Sequence, residues 1–431
     1  MITLYNRRES RVKGGNEMVI EKQSTKQPTE YWKQIVMIMT LGWVVIWLYR
    51  TALAPVYPQI SAHFGGASDS QIGSISSFYF LGYVLMQIPS GLLVDRFGKK
   101  TVLIPGFTLF GVGTLIVATA PSLLVVYIGS VLAGVGCGTF YGVAYSLTGQ
   151  YVPASRKSLA TAIVNCGTAI GSGGGMIASS YLVVKLGLHW NTMLYVVLAF
   201  VVVMLGLFMK FIRKEEQPDK QSAEASALAP QEKMTMKRIF APKMIAVYIL
   251  YFSTCYAYYL TDTWLPNFLA TERGFEGTTI GLASSLVFFT AIPGALLFSR
   301  LADKFVHRKI QLIVVLEILA GIALFTAVAA SSKNLLLFGL IAYGFFGKIT
   351  VEPLIISWLG EHIPSKGLAT TLGIFNFFGM SSSVIAPSLT GWISDATGSK
   401  IYSFYLAVGI LAIGTAVFYI FNRKDKPAVV A

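Results

Sequence analysis

The sequence predicts an all-α membrane protein that crosses the bilayer many times. Apolar residues make up 54% of the 431 residues and charged residues only 13%, whereas soluble domains average about 25% charged residues. The mean hydropathy is +0.64, and apolar runs of about 20 residues, the length of a membrane-spanning helix, recur along the whole chain. A membrane β-barrel would instead show short segments of alternating hydropathy. The composition therefore excludes a soluble enzyme and a disordered chain.

Twelve apolar runs are long enough to cross the bilayer as helices. In chain order, predicted helices 1 to 12 cover residues 34–56, 71–94, 101–120, 123–147, 158–183, 191–212, 243–266, 278–299, 310–331, 335–358, 368–391 and 400–422.

The basic residues are concentrated on one side of these helices. With the amino terminus inside, 28 of the 34 Lys and Arg residues fall in cytoplasmic segments or the adjoining helix ends, and four fall in outer loops. Membrane proteins carry such an excess on the cytoplasmic side. We therefore expect both termini in the cytoplasm of a multi-pass cell-membrane protein, in bacteria that of the inner membrane. The net charge of +14 then reflects topology, and nucleic acid is not an expected partner.

One long hydrophilic stretch divides the predicted helices into six and six. We interpret residues 213–242 as a cytoplasmic linker, because the stretch is polar and has no helical periodicity. The predicted organisation is then a cytoplasmic tail at 1–33, an N-terminal half at 34–212, a C-terminal half at 243–422 and a second tail at 423–431.

The two halves resemble each other in sequence. The segment GLLVDRFGKK at 91–100 recurs in weaker form 208 residues later, as SRLADKFVHRK at 299–309. A Leu-Ala-Thr triplet at 159–161 recurs at 368–370, an offset of 209 residues. Two matches at nearly one offset indicate a duplicated six-helix unit, and transporters built in this way bind their substrate between the halves near the bilayer midplane.

The segment at 91–100 combines two glycines with a carboxylate between predicted helices 2 and 3. Gly91 is expected to let the end of helix 2 approach a neighbouring helix closely, and Asp95 to accept hydrogen bonds at a nearby helix amino terminus. The segment resembles the loop signature of the major facilitator superfamily, in the position where that family has it. The resemblance implies two six-helix halves that alternate access to a central site. The conformational motif would comprise Gly91, Asp95, Arg96, Gly98, Asp303 and Arg308.

Predicted helices 1, 2 and 7 are similar to those of the anion:cation symporter group of that superfamily. The matching residues are Tyr49-Arg50 through Pro58, Gln71-Ile72-Gly73, Tyr83, Gln87-Ile88-Pro89-Ser90-Gly91, and Trp264-Leu265-Pro266, which is expected to end helix 7. The resemblance implies transport of small organic anions such as sugar acids, with Arg50 on the substrate carboxylate. The group often has an acid just before this arginine and an Arg and a Glu in helix 4. Here Tyr49, Ser130 and Cys137 stand at those positions, so proton coupling would need another acid.

Five ionisable residues lie inside predicted helices, and each is a functional candidate because a charge at the centre of the bilayer costs about 2.5–3.5 kcal/mol on insertion scales. They are Arg50, Asp262, Glu317, Lys348 and Glu352. Helix geometry places Arg50 roughly 20 Å into a hydrocarbon core about 30 Å thick, too deep to reach the interface easily.

Lys348 and Glu352 are four residues apart on predicted helix 10 and therefore share one face. One interpretation is an internal salt bridge that only fixes helix packing. The other is a pair that lines the transport cavity, where Arg50, Lys348 and Glu352 together would carry a net charge of +1, which suits a monoanion. Protonation of Glu352 would raise this charge and favour anion entry, which is a physical route to proton symport.

Position along the predicted helices assigns roles to the remaining candidates. Asp262, four residues before Pro266, is expected at the entrance or gate near the outer end of helix 7, as a second candidate for proton coupling. Glu317 on helix 9 is expected to be structural. Among many aromatic residues, we expect Tyr83, Tyr141 and Tyr256 to offer hydroxyl groups to the substrate.

These observations favour a secondary transporter for a small organic anion, a monocarboxylate or a sugar acid, in symport with a cation, most simply the proton. An exporter or antiporter of amphipathic compounds is the alternative, and a non-transporting sensor on the same scaffold is a third. The chain has no catalytic constellation, and no cofactor is expected because an ion gradient would drive transport. The expected partners are the anion, the coupling cation and the lipid bilayer, and we expect a monomer.

Overall fold

The computed structural model describes residues 31–153, 156–213, 239–305, 308–363 and 365–423, and within these ranges the chain is helical without strands. Eleven of the described spans are long and apolar enough to cross a membrane. The predicted fold class, an all-α polytopic membrane protein, is confirmed. Most of both predicted tails and of the linker lies outside the described residues.

Twelve helical segments, α1 to α12, follow one another along these residues. They are α1 (Tyr31–Ala52), α2 (Asp69–Phe97), α3 (Lys99–Ala118), α4 (Leu123–Gly138 and Phe140–Tyr151), α5 (Lys157–Ser179, with a π-helical turn over Ser180–Lys185), α6 (Thr192–Phe211), α7 (Pro242–Glu272), α8 (Thr278–Lys304), α9 (Lys309–Ala329), α10 (Lys333–Phe346 and Lys348–His362), α11 (Ser365–Thr397) and α12 (Ile401–Asn422). A 3₁₀ turn, Ala54–Val56, and a short helix, Tyr57–His63, continue α1.

Among the differences from the predicted helices, three concern α7, α4 and α10. The expected end of α7 at Pro266 is wrong, because the helix continues to Glu272 with the proline inside it. A helix tolerates the missing proline N–H where packing holds both sides, and α7 is the most buried of the apolar spans. Helices α4 and α10 are each interrupted, at Thr139 and at Gly347, and these two helices occupy equivalent places in the two sets of six.

The loop between α2 and α3 is a tight turn at Gly98. Its φ of +84° lies in the left-handed region that glycine adopts without a steric penalty, and its N–H donates to Val94 O at 2.9 Å. Gly91 behaves otherwise than predicted. A Cβ at Gly91 would meet no described atom within 4 Å, so the expected close helix approach at this residue is wrong for this conformation.

The first six helices contact the last six mainly along two pairs, α2 with α11 and α5 with α8. Two glycines mark how closely these helices pass. A Cβ at Gly73 in α2 would lie 2.4 Å from Pro387 O in α11, and one at Gly281 in α8 would lie 2.4 Å from Met176 O in α5. Small residues at such crossings let helix backbones touch within a membrane.

A polar network joins the start of α2 to the end of α11. The Asp395 carboxylate accepts hydrogen bonds from the backbone N–H groups of Asp69 (2.8 Å) and Ser70 (2.9 Å). Lys400 Nζ lies 2.5 Å from Asp69 Oδ2, and Ser394 Oγ donates to the same oxygen at 2.6 Å. An acidic side chain at a helix amino terminus is favourable because the first N–H groups have no partner within the helix.

The same pair of helices continues this contact toward the middle of the bundle. Ser388 of α11 bonds to two serines of α2, with oxygen to oxygen distances of 3.2 Å to Ser74 and 2.8 Å to Ser77. The end of the bundle that holds Asp69 and Lys400 is therefore sealed, and we call it the closed end. The opposite end, which holds the α2–α3 turn, we call the motif end.

The closure can be tested by cross-linking. In a background without the three native cysteines and with a protease site between residues 220 and 230, the pair Ser74→Cys and Ser388→Cys should form a disulfide on mild oxidation. The two hydroxyl oxygens already lie 3.2 Å apart, within the reach of a disulfide. After proteolysis the two halves should migrate together on a non-reducing gel and separate after reduction.

Each single cysteine variant serves as the control and should give separate halves under both conditions. Separate halves from the double variant in native membranes would show that the closed end is open there.

Candidate functional site

Arg50 lies in α1 within a cage of aromatic rings. The residue is 9% exposed. Its Cζ is 4.4 Å from the ring centroids of Trp47 and Tyr83, and its Nε donates to the Tyr79 hydroxyl at 2.9 Å. Nη2 is buried without a hydrogen-bond partner. A desolvated guanidinium with one nitrogen unpaired can bind an incoming anion.

Lys348 begins the second piece of α10, directly after the interruption at Gly347. Its Nζ lies 3.0 Å from Glu352 Oε2, and Tyr251 of α7 donates a hydrogen bond to the other carboxylate oxygen. The predicted pair is therefore present. Because Lys348 stands at a helix amino terminus, the helix dipole adds to its positive charge, and Glu352 offsets both.

Two tyrosines of α7 lie between the two cations. Tyr259 is close enough to Arg50 and to Lys348 to interact electrostatically with both, and its ring centroid is 5.0 Å from that of Phe80 in α2. Lys348 Nζ lies 5.3 Å from the centroid of the Tyr258 ring. The arginine of the first six helices and the lysine of the last six therefore face one cluster.

Asp262 is the second carboxylate of this cluster. It is 2% exposed, its charge is within electrostatic range of both Arg50 and Lys348, and its Oδ1 is buried without a partner. Because α7 continues beyond Pro266, Asp262 lies nearly three turns before the end of the helix. The structure thus brings it nearer to the charged centre than the sequence suggested. With both carboxylates ionised, the four charges sum to zero.

The three tyrosines predicted from the sequence are placed differently from one another. Tyr83 is one of the rings of the Arg50 cage. Tyr141 lies within electrostatic range of Lys348 and Glu352. Tyr256 does not join them. Its ring packs near Phe252, with centroids 6.2 Å apart, and its buried hydroxyl has no partner.

Exposure within the cluster increases toward the motif end. Tyr141 is 43% exposed and the Glu352 side chain 28%, and both lie in the half of their helix nearer that end. Arg50 and Asp262, nearer the closed end, are almost fully buried. Glu352 and Tyr141 are therefore the more accessible residues of the cluster, and Arg50 and Asp262 the more buried ones.

The remaining predicted residues lie outside this cluster. Glu317 in α9 is 1% exposed and accepts a hydrogen bond from Thr254 of α7. Arg96 lies over Phe97 at the motif end, with Cζ 5.2 Å from the ring centroid, and Arg308 is exposed just before α9. The side chains of Asp95 and Asp303 lie outside the described residues.

Sequence reasoning missed several residues of the cluster. A signal for them was available on α7, where Tyr251, Cys255, Tyr258 and Asp262 recur at helical spacing and so share one face. Tyr256 is one position away from that face. On α2, Tyr79 precedes Tyr83 by one helical turn and faces the same arginine.

Comparisons with known proteins agree with this architecture. The sequence model of the Major Facilitator Superfamily matches residues 39–387, with a second match over 247–431. The chain is similar to the hexuronate transporter of Bacillus subtilis, with 24% identity over 91% of this chain and 96% of that protein. It is similar to the 3-(3-hydroxy-phenyl)propionate transporter of Escherichia coli, with 25% identity over 83% of this chain and 86% of that protein. It is also similar to the probable sulfoacetate transporter of Cupriavidus necator, with 25% identity over 92% of this chain and 95% of that protein.

Solved structures share the fold. A bacterial homolog to the human lysosomal transporter Spinster, in an inward-facing and occupied conformation, superposes with a TM-score of 0.77 at 15% identity, over 93% of this chain and 99% of that one. The predicted class, a membrane transporter and not an enzyme, is confirmed. With 349 consecutive residues spanned by the family match, the chain belongs to the Major Facilitator Superfamily.

Proposed function

We propose that the protein carries a small organic monoanion across the membrane by alternating access, with the anion's carboxylate on Arg50 and a proton as the coupled cation. The observation that carries the proposal is the unpaired Nη2 of Arg50 in a cluster that also contains Lys348 of the other set of helices. A carboxylate on Arg50 would satisfy this nitrogen. The hexuronate, hydroxyphenylpropionate and sulfoacetate named for the three relatives are all anions of organic acids.

Coupling to protons follows from the charge balance of the cluster. Arg50, Lys348, Glu352 and Asp262 sum to zero when both carboxylates are ionised, and a monoanion would bring the sum to −1. Protonation of one carboxylate restores neutrality, so anion and proton favour each other's binding. Glu352 suits this role because its side chain is 28% exposed, whereas Asp262 is almost fully buried. We assign the coupled proton to Glu352 and keep Asp262 as the second candidate.

The transport activity is tested by counterflow of radiolabelled acids in proteoliposomes. A panel of glucuronate, 3-phenylpropionate and sulfoacetate samples the acids related to those of the relatives. Saturable counterflow of glucuronate or of 3-phenylpropionate, which are monoanions, supports the proposal. Counterflow of sulfoacetate alone, which is a dianion, would contradict the proposed charge of the substrate. Export of amphipathic compounds without counterflow of any acid would favour the alternative, an exporter or antiporter. No transport of either class would favour a sensor.

Arg50→Lys should lower counterflow of the transported acid by about tenfold or more, because lysine keeps the charge but lacks the planar fork that pairs with two carboxylate oxygens. Arg273→Lys is the matched control. Like Arg50, Arg273 donates a hydrogen bond and contacts an aromatic ring. Its acceptor is Val328 O and its ring that of Phe268, and it lies at the closed end outside the cluster. Near-normal counterflow in the Arg50→Lys protein would remove Arg50 from the binding site.

Glu352→Gln should abolish uptake driven by a pH gradient while anion exchange continues, because exchange does not require the proton to be released. Glu317→Gln is the matched control, since Glu317 is a buried glutamate of the same half that bonds to Thr254 and lies outside the cluster. It should keep gradient-driven uptake. If Asp262→Asn abolishes gradient-driven uptake but keeps anion exchange, and Glu352→Gln does not, the coupled proton belongs to Asp262.

The purely structural interpretation of the Lys348 and Glu352 pair makes a different prediction. Removal of one member leaves a desolvated charge, whereas removal of both leaves none. If the pair only fixes packing, Lys348→Ala combined with Glu352→Gln should recover both the melting temperature and gradient-driven uptake. If Glu352 carries the proton, the double variant should recover the melting temperature but not the uptake.

A further inference from the structure

We propose that Tyr79 is a positioning residue that holds the Arg50 guanidinium so that a substrate carboxylate meets it through its two Nη atoms. The inference rests on the proposed function, because it assumes that Arg50 binds the anion. It adds the direction of approach and a residue that was not among the candidates chosen from the sequence.

The direction follows from which nitrogen is already used. A carboxylate can pair with a guanidinium along two edges, one formed by Nε and the neighbouring Nη, the other by both Nη atoms. Arg50 Nε donates to the Tyr79 hydroxyl at 2.9 Å, so the first edge is occupied. Nη2 is buried and has no partner. The second edge, at the tip of the side chain, is the one that remains for two parallel hydrogen bonds.

The other rings restrict the approach further. Besides Trp47 and Tyr83, the ring of Phe80 lies 5.2 Å from Arg50 Cζ. These cation–π contacts stabilise the buried charge, but ring carbons cannot satisfy the N–H groups. A substrate carboxylate that binds Arg50 would therefore meet it at the Nη edge, with the planar carboxylate end of the substrate foremost.

Tyr79 is itself held in place. It is 3% exposed, and its ring centroid lies 5.3 Å from those of Tyr49 and Phe80. Its hydroxyl also contacts Cys137 of α4. The backbone is fixed too, since a Cβ at Gly134 in α4 would come within 1.9 Å of Tyr79 O. Because both the ring and the backbone of Tyr79 are held in place, its hydroxyl can set the orientation of the longer and more flexible Arg50 side chain.

Tyr79→Phe tests this role because it removes only the hydroxyl. For the acid that the parent transports, we expect the KM to rise by about tenfold, roughly 1.4 kcal/mol, with the maximal rate retained, because the guanidinium is then free to swing between orientations. Tyr248→Phe is the matched control. Tyr248 lies outside the cluster, is 1% exposed and donates a hydrogen bond to Ile239 O at 3.1 Å. The KM of the Tyr248→Phe variant should stay at the parent value.

A second measurement separates a role through Arg50 from general packing. In the Arg50→Lys background, Tyr79→Phe should cause no further rise in KM, since lysine has no Nε to hold, and the two effects should be non-additive. An equal rise in both backgrounds, or the same rise with Tyr248→Phe, would overturn the proposal.

A third measurement needs no substrate. In protein labelled with ¹⁵N-arginine, the Nε–H signal that disappears in Arg50→Lys should exchange slowly with solvent in the parent and rapidly in Tyr79→Phe. Addition of the transported acid should shift the Nη signals of Arg50 more than the Nε signal. An unchanged exchange rate in Tyr79→Phe would overturn the positioning role. If no acid of the panel is transported, the proposed function fails, while the exchange rates still decide whether Tyr79 holds Arg50.

Discussion

The arrangement of the cluster depends on one constraint, the burial of the Arg50 guanidinium inside the helix bundle. An arginine cannot lose its charge in proteins, so its surroundings must stabilise the ion itself. The aromatic rings of α1 and α2 provide favourable cation–π contacts, Tyr79 takes one N–H, and the distant charge of Asp262 contributes long-range attraction. None of these groups satisfies Nη2, and in the proposed function this unmet hydrogen-bonding capacity would attract the anion.

The closed end is built from contacts that can separate. Its bridges between α2 and α11 join serine hydroxyls, the Asp395 carboxylate and the start of α2, and water can replace each of these partners when the helices part. Helix α2 would keep its own cap as well, since Ser68 and Gln71 form a capping box within that helix. An interface of polar groups with alternative partners suits the proposed alternating access, in which the two ends would open in turn.

The sequence predicted the fold and part of the cluster, and the rest required helix orientation. Arg50 could be identified because its depth follows from counting residues, and Lys348 with Glu352 because a spacing of four fixes a shared face. Tyr256 was chosen on the right helix but the wrong face, since a shift of one residue rotates a side chain by about 100°. From the sequence, Lys400 could only be assigned to an outer loop. Its ion pair with Asp69 could not be predicted, because Asp69 lies 331 residues away and no local pattern links the two.

The division of the charges between the two sets of helices bears on the proposed mechanism. Arg50 belongs to α1 and the Lys348 and Glu352 pair to α10, so a carboxylate on Arg50 lies within the field of a cation from the opposite half. While Glu352 is ionised, it holds Lys348 at 3.0 Å and cancels that attraction. In the proposed mechanism, a proton on Glu352 would release the lysine charge toward the substrate and draw the halves together around it. Substrate and proton would then stabilise the same conformation, the one in which both halves contact the substrate. Because each favours the conformation that binds the other, binding alone can couple substrate transport to proton transport.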